Sequence, residues 1–286
     1  MIEIFGVDNN HRSDVMFIVA LNRKTNEARL FTVYRDTLMK IDSTGKKHTW
    51  GGHKYLYYKC NRGYQIDGQY GTMKMMNSHL DLNIRECLGL DWNGVEYLVN
   101  AIGGITVDIN DSVKDWINKY CSSRDGDVNY KPIMYAGEQT LDGMQAVAYL
   151  RCRKDAGSDA GTRSRRNEDV LIQVFDKIKP MSTEAKIKLY DDVADYFKSN
   201  MSRTTITELI ASLQDMEVTT CDGFPYDYKI MWDNYDAFYY WVPVKDLRTN
   251  VIKLHENVFG QKDYVPSSTL DNLNDELNEY IAASLH

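Results

Sequence analysis

The chain has 286 residues, with 34 Lys and Arg against 41 Asp and Glu for a formal net charge of −7, and is 43% hydrophobic and 12% aromatic. With only 18 Gly and 5 Pro it is neither collagen-like nor of low complexity, and its length suits one large domain or two small ones. The acidic balance excludes a protein built to coat nucleic acid, whose affinity comes from Lys and Arg neutralising phosphates.

Taken in chain order, residues 2–7, 15–21 and 28–34 read as three apolar strands joined by the short turn-rich segments 9–14 and 22–27. The longest apolar run, 15–21, falls far short of the roughly 20 residues that span a bilayer. The opening MIEIFGVD reads as a strand and not as a signal peptide. Residues 42–70 form a polar, Gly- and Tyr-rich excursion without a clear period, and its tyrosines at 55–59 read as surface packing. Met73, Met76, Leu80 and Leu82 give a weak helical stripe, and residues 83–92 a strand entering a turn. Val95, Leu98, Val99 and Ile102 predict a helix that Gly103 and Gly104 stop, before a strand over 104–110. Strand, helix and strand in that order point to an α/β architecture.

Thr140 is a candidate N-cap for a short helix through 146–149. A longer helix comes next, with Val170, Leu171, Val174, Phe175 and Ile178 on one face and Pro180 at its end. Thr205 and Glu208 have the spacing of a capping box for a helix over 206–215, and Leu270, Leu273, Leu277 and Ile281 mark a C-terminal helix. Neither a repeat nor a linker is visible, so a single domain over 1–286 is expected. The five cysteines, at 60, 87, 121, 152 and 221, form no CxxC pair, and reduced thiols are expected.

Charge is densest at 151–166, where Arg151, Arg153, Lys154, Arg163, Arg165 and Arg166 face only Asp155 and Asp159. An extended 149–153 would place Arg151 and Arg153 on one side, about 7 Å apart, and a helix from near residue 162 would put Arg163 and Arg166 on one face. Converging guanidinium groups repel unless an anion sits among them, and their planar forks match phosphate oxygens. A phosphate or pyrophosphate is the natural ligand, although a solvated charged loop with local Asp pairing fits the composition as well. A second cluster comprises Asp8, Arg12, Asp14 and the YRDT segment at 34–37. Strand ends are where α/β sheets bind ligands, and two carboxylates across one turn suit Mg²⁺ shared with phosphate. Asp and Asn are also ordinary turn formers, and Asp36 could simply cap Thr37 or the next turn of the chain. There is no HExxH, GxSxG or GxxxxGK[ST] motif.

Five segments in order, GVDNNHRSDVMFIVALN (6–22), FTVYRDT (31–37), DWNGVEYLVNAIGGITVDI (91–109), GEQTLDGMQAVAYLRCRKD (137–155) and RSRRNEDVLIQVF (163–175), resemble the LytR-CpsA-Psr family over about residues 3–180. A looser likeness continues through 181–286. The resemblance implies a three-layer α-β-α fold with a central mixed sheet and a long apolar cleft for a polyprenyl phosphate or pyrophosphate. It implies an enzyme on the extracytoplasmic face of a bacterial membrane, held by an N-terminal anchor that this chain lacks. Its reaction would pass a teichoic-acid or capsular glycopolymer from an undecaprenyl-pyrophosphate carrier to peptidoglycan. A polyprenyl-phosphate-binding regulator and a pyrophosphate phosphatase are the alternatives.

Carried over residue by residue, the family's acidic positions fall on Asp8 and Asp14, expected as Mg²⁺ ligands or general base, with Arg12 beside them. The PRDT arginine falls on Arg35, after Tyr34 in place of proline; the RxR pair on Arg151 and Arg153; and the RxxRQ residues on Arg163, Arg166 and Asn167. The K-[IL]-N segment is matched to Lys54, with Leu56 in the polar position. Catalytic roles are expected for Asp8, Asp14 and Arg35, and pyrophosphate binding for Arg12, Arg35, Lys54, Arg151, Arg153, Arg163, Arg166 and Asn167.

Overall fold

The computed structural model describes residues 1–8, 12–124, 130–153 and 160–286, the last range without the side chains of 160–163. In chain order the strands are β1 Ile2–Val7, β2 Ser13–Asn22, β3 Glu27–Thr32, β4 Leu38–Lys40, β5 His48–Trp50, β6 His53–Tyr55, β7 Tyr57–Lys59, β8 Glu86–Asp91, β9 Ile105–Ile109, β10 Gly137–Leu141, β11 Phe197–Ser199, β12 Glu217–Thr220, β13 Tyr228–Trp232 and β14 Tyr239–Pro243. The α-helices are α1 Gly63–Leu80, α2 Trp92–Ala101, α3 Asp111–Ser123, α4 Gly143–Arg151, α5 Ala160–Ile178, α6 Thr183–Val193, α7 Arg203–Ser212, α8 Leu247–Phe259 and α9 Ser268–Ser284.

The chain divides into two compact units, one of Met1–Gly89, Lys198–Met201 and Met216–His286, the other of Leu90–Phe197 and Ser202–Asp215. The divisions at 89/90 and 197/198 fall inside strands β8 and β11. No Gly- or Pro-rich linker therefore marks them in the sequence.

The first unit is built on a mixed sheet in the order β11-β8-β1-β2-β3-β12. Strands β1, β2 and β3 form the antiparallel meander expected from their apolar runs, and β12 joins β3 in parallel. The β1–β2 register slips between Gly6 and Val7, so the ladder ends irregularly just before Asp8. Helix α1 begins ten residues earlier than the weak stripe at 73–82 suggests, and it kinks where Gly68 takes φ 54°. The Tyr-rich excursion is not surface packing: Tyr55, Tyr57 and Tyr58 are each at most 2% exposed, and they join Phe5, Ile18, Phe31, Met76 and Leu254 in one core. Strands of three residues are too short to display a period.

His79 belongs to that core as a satisfied histidine. Its Nε2 accepts from the Lys40 N–H at 2.8 Å, its Nδ1 donates to Met75 O at 2.9 Å, and burial lowers its pKa to about 4.

The second unit contains the antiparallel pair β9–β10 and helices packed around Val99, Ile105, Ile117, Leu141, Ala146 and Val170. Two helix starts differ from the sequence reading. Thr140 lies inside β10, and the α4 N-cap is Asp142, which forms a capping box with Gln145. Thr205 lies inside α7, capped by Ser202. In both cases a residue two or three positions away offers a short acceptor at the correct extended φ/ψ.

Candidate active site

In the first unit the expected carboxylates and arginines meet at the ends of the meander. Asp8 follows β1, Asp14 is the second residue of β2, and Arg35 and Asp36 follow β3. The Asp8 and Asp14 N–H groups both donate to Arg12 O, at 2.9 and 3.1 Å. The Arg12 side chain returns to Asp8, with Nε at 2.9 Å and Nη2 at 2.6 Å from Oδ2, while the Arg12 N–H donates to Oδ1. Arg35 Nη1 stands 2.7 Å from Asp14 Oδ2, and Asn61 Nδ2 donates to Asp14 Oδ1 at 3.0 Å.

Below them lies Asp36, whose side chain is fully buried, with Lys59 Nζ 2.9 Å from Oδ1 and Arg35 Nε 3.7 Å from Oδ2. It is therefore no helix cap. Lys59 also sits 3.6 Å above the Tyr239 ring centroid, and the Tyr239 hydroxyl is 3.5 Å from Asp36 Oδ2. Three cations thus meet three carboxylates. Burial weakens Arg12 as a cation, but the hydrogen bond to Asp8 and the charges of Asp14, Asp8 and Asp36 outweigh it and raise its pKa above the ordinary arginine value. Arg12 and Arg35 are consequently held in fixed geometry before any ligand arrives. Each keeps N–H donors beyond those its carboxylate takes.

Cys60 is set between these groups and is inert. Burial, then the Asp36 charge, pushes its thiol well above the ordinary value, and Sγ donates to Tyr34 O at 3.3 Å.

Sequence reasoning missed Lys59, Asn61 and the buried role of Asp36. The signal was present: Lys59-Cys60-Asn61 has the Lys-x-Asn spacing, and α1 begins two residues later. Lys54, the residue matched to that segment, is instead exposed on the small hairpin strand β6.

Asp8 and Asp14 supply oxygen donors of the kind Mg²⁺ takes. Two carboxylates on one turn are what that ion usually draws from a protein when phosphate oxygens complete its shell. Among the described residues no group of three or more His, Cys, Asp or Glu could hold a metal unaided. The donor set fits a cation shared with a phosphate ligand.

The second unit carries the other arginines. Residues 149–151 are not extended: Arg151 is the last residue of α4, and its guanidinium lies 5.2 Å from the Trp92 ring and 5.7 Å from that of Tyr120. Arg153 is exposed just beyond the C-cap Cys152. Arg166, expected to face an anion, is 6% exposed and donates through Nη1 to Tyr149 O and Cys152 O, both at 3.2 Å. It bonds carbonyls of the last turn of α4, Tyr149 O alongside the Cys152 N–H, so it positions the segment bearing Arg151 and Arg153. On the next residue, Asn167 Oδ1 is buried with no hydrogen-bond partner among the described residues. Arg165 is exposed. The Arg163 side chain, Lys154, Asp155 and Asp159 lie outside the described residues.

TagT of Bacillus subtilis, named a polyisoprenyl-teichoic acid-peptidoglycan teichoic acid transferase, is 29% identical over 224 residues, covering 76% of this chain. The chain spans 62% of that relative's own length. Among solved structures, gbs0355 of Streptococcus agalactiae superposes with a TM-score of 0.75 at 23% identity, covering 99% of this chain and 94% of that one. The structure of TagT bound to LIIa-WTA superposes with a TM-score of 0.65 at 24% identity, covering 90% of each chain. These two likenesses establish the α/β fold with its mixed sheet. The LytR_cpsA_psr family model matches residues 1–256, and the chain belongs to the LytR-CpsA-Psr family.

Proposed function

We propose that the protein transfers a glycopolymer, of teichoic-acid or capsular type, from a polyprenyl-pyrophosphate carrier to a peptidoglycan hydroxyl. The observation that carries the reading is the preset ion network at the sheet's end: Arg35 fixed on Asp14, Arg12 fixed on Asp8, and Lys59 fixed on Asp36. In phosphoryl transfer the protein mainly positions groups and stabilises spreading negative charge, and this network does both.

The acceptor hydroxyl oxygen forms a new bond to the phosphorus that bears the glycopolymer. The bond from that phosphorus to the bridging oxygen breaks, and polyprenyl phosphate leaves with the electron pair. The hydroxyl proton passes to Asp8 or Asp14, whichever carboxylate stands within hydrogen-bond reach. N–H donors of Arg35 and Arg12 beyond those taken by their carboxylates face the phosphoryl oxygens. Mg²⁺ held by Asp8 and Asp14 would neutralise charge on the same phosphates. The carrier's tail requires a long apolar cleft, and the reaction belongs on the extracytoplasmic face of a bacterial membrane. Among the described residues no helix is long and apolar enough to cross a membrane.

Purified protein, Mg²⁺, a lipid-pyrophosphate-linked saccharide and peptidoglycan oligomers should yield a phosphodiester-linked product, and EDTA should suppress it. Arg35→Ala should abolish donor binding with the fold intact by circular dichroism. Release of phosphate without acceptor would replace the reading with a phosphatase, and tight lipid binding without product from any donor would replace it with a lipid sensor.

A further inference from the structure

The ion pairs of the network differ in how firmly each can hold its cation. Arg35 presents a planar fork whose donors have set directions, and one of them, Nη1, stands 2.7 Å from Asp14 Oδ2. Lys59 is a point charge on a flexible four-carbon stem, with a side chain 15% exposed. Its Nζ is 2.9 Å from the buried Asp36 Oδ1, yet that oxygen accepts no well-aligned hydrogen bond among the described residues. The ion pair by itself does not fix the direction of the ammonium.

A second contact does. The centroid of the Tyr239 ring lies 3.6 Å from Lys59 Nζ, well inside the distance of about 6 Å over which the negative face of a ring attracts a cation. The ammonium is bracketed by a carboxylate and an aromatic face. The Tyr239 hydroxyl stands 3.5 Å from Asp36 Oδ2, at the outer limit for a hydrogen bond. The ring, more than the phenol oxygen, carries the contact.

Strand β14 keeps that ring in register with Asp36. Two residues beyond Tyr239, the Trp241 N–H donates to Asp36 O at 2.9 Å, and Trp241 forms a parallel bridge with Thr37. The Trp241 ring is itself fixed, stacked on Tyr228 at 3.7 Å and met edge-on by Tyr34 at 5.0 Å. The strand that grips the backbone of Asp36 is thus the strand that sets the ring beneath the cation of Asp36.

The geometry assigns Tyr239 the role of positioning residue for Lys59: its ring holds the ammonium at Asp36, where the transfer proposed above needs a fixed positive charge. The assignment rests on that reading and deepens it. Tyr239 acts through Lys59 and is not itself a catalytic residue.

The first test reads Lys59 without turnover, in the full chain. Acetylation of Lys59 by acetic anhydride, followed by mass spectrometry, should be about tenfold faster in Tyr239→Leu, the scale of one partly desolvated cation–π contact. Tyr239→Phe keeps the ring and should restore the slow rate. Phenylalanines carrying one, two or three ring fluorines, placed at 239, keep the shape while weakening the negative face, so acetylation should quicken step by step along the series. A side chain that only filled space would give a flat series, and the series decides even where Tyr239→Leu does not fold. In the transfer assay Tyr239→Leu should lower kcat by about tenfold, and in a Lys59→Met background it should lower kcat no further.

Equal acetylation in Tyr239→Leu and the unaltered protein, a flat fluorine series, an unchanged kcat in Tyr239→Leu, or the same loss of kcat in both backgrounds would overturn the assignment. The two readings fail separately. A stepped fluorine series with no product from any donor would remove the transferase and leave Tyr239 holding Lys59. Product formation with a flat series would do the reverse.

Discussion

Glu3 is a carboxyl at 0% exposure on β1, and neither oxygen has a well-formed hydrogen bond among the described residues. Burial raises its pKa to about 8, against a weaker opposing hydrogen bond from Thr72. The folded protein therefore keeps a proton that the unfolded chain has released above about pH 4.5. Stability falls as pH rises across the window from there to about 8, with a limiting slope near 1.4 kcal/mol per pH unit, and then levels off. Glu3→Gln should remove the slope and be the more stable protein at pH 8; urea midpoints at pH 5, 6.5 and 8 that run parallel for the two proteins would refute this. At the same scale the site was only partly legible. Asp8, Arg12, Asp14 and Arg35 stand out because charged residues at strand ends break an apolar pattern. Lys59 and Asn61 did not, because they sit in a stretch of tyrosines whose burial depends on partners far along the chain, such as Tyr240 and Tyr280. Arg166 reads in the sequence as one more arginine for a phosphate, and its bonds to the Tyr149 and Cys152 carbonyls depend on a packing that spacing does not display.

Among the elements, β1 to β3, α2, α5 and α9 were readable, since each has a run long enough to show its period. Helix α1 was not, because Gly63, Gly68 and Gly71 interrupt its first half. The tightest constraint between elements is at Gly143, where a Cβ would fall 2.0 Å from Glu96 O, so the start of α4 lies almost on the backbone of α2. Gly143→Ala forces the two helices apart and should cost about 2–3 kcal/mol. Asp142→Ala, which removes the cap one residue earlier, should cost about 1 kcal/mol. Denaturant unfolding of the two variants orders them; equal losses would mean that α4 has room that the close approach denies. The arginines at the far end of α4 would feel the first change more than the second.

For the molecule as a whole, the net charge of −7 is an average that conceals local order. Arg12, Arg35 and Lys59 are each matched by a carboxylate, so the first unit offers directed N–H donors more than net positive charge. The exposed Arg153 of the second unit has no such match among the described residues. Affinity for a pyrophosphate donor should therefore fall with added salt in the unaltered protein, and fall less steeply in Arg153→Ala. Equal salt slopes measured by calorimetry would count against a role for Arg153 in holding the carrier. The order of strands and helices anticipated the class of fold, while the division into two units passes through strands β8 and β11 and leaves no linker to read in the sequence.

That division also sets an order of events in time. Strands β8 and β11 are neighbours in one sheet, yet the whole stretch from Trp92 to Tyr196 lies between them in the chain. Pairing them in an unfolded chain closes a very long loop, at an entropic cost that grows with the logarithm of its length. If the intervening stretch has already collapsed around its own core, the ends to be joined are fewer flexible residues apart. The inserted unit is thus the natural early folder, and completion of the sheet at β11 is the late, slow event.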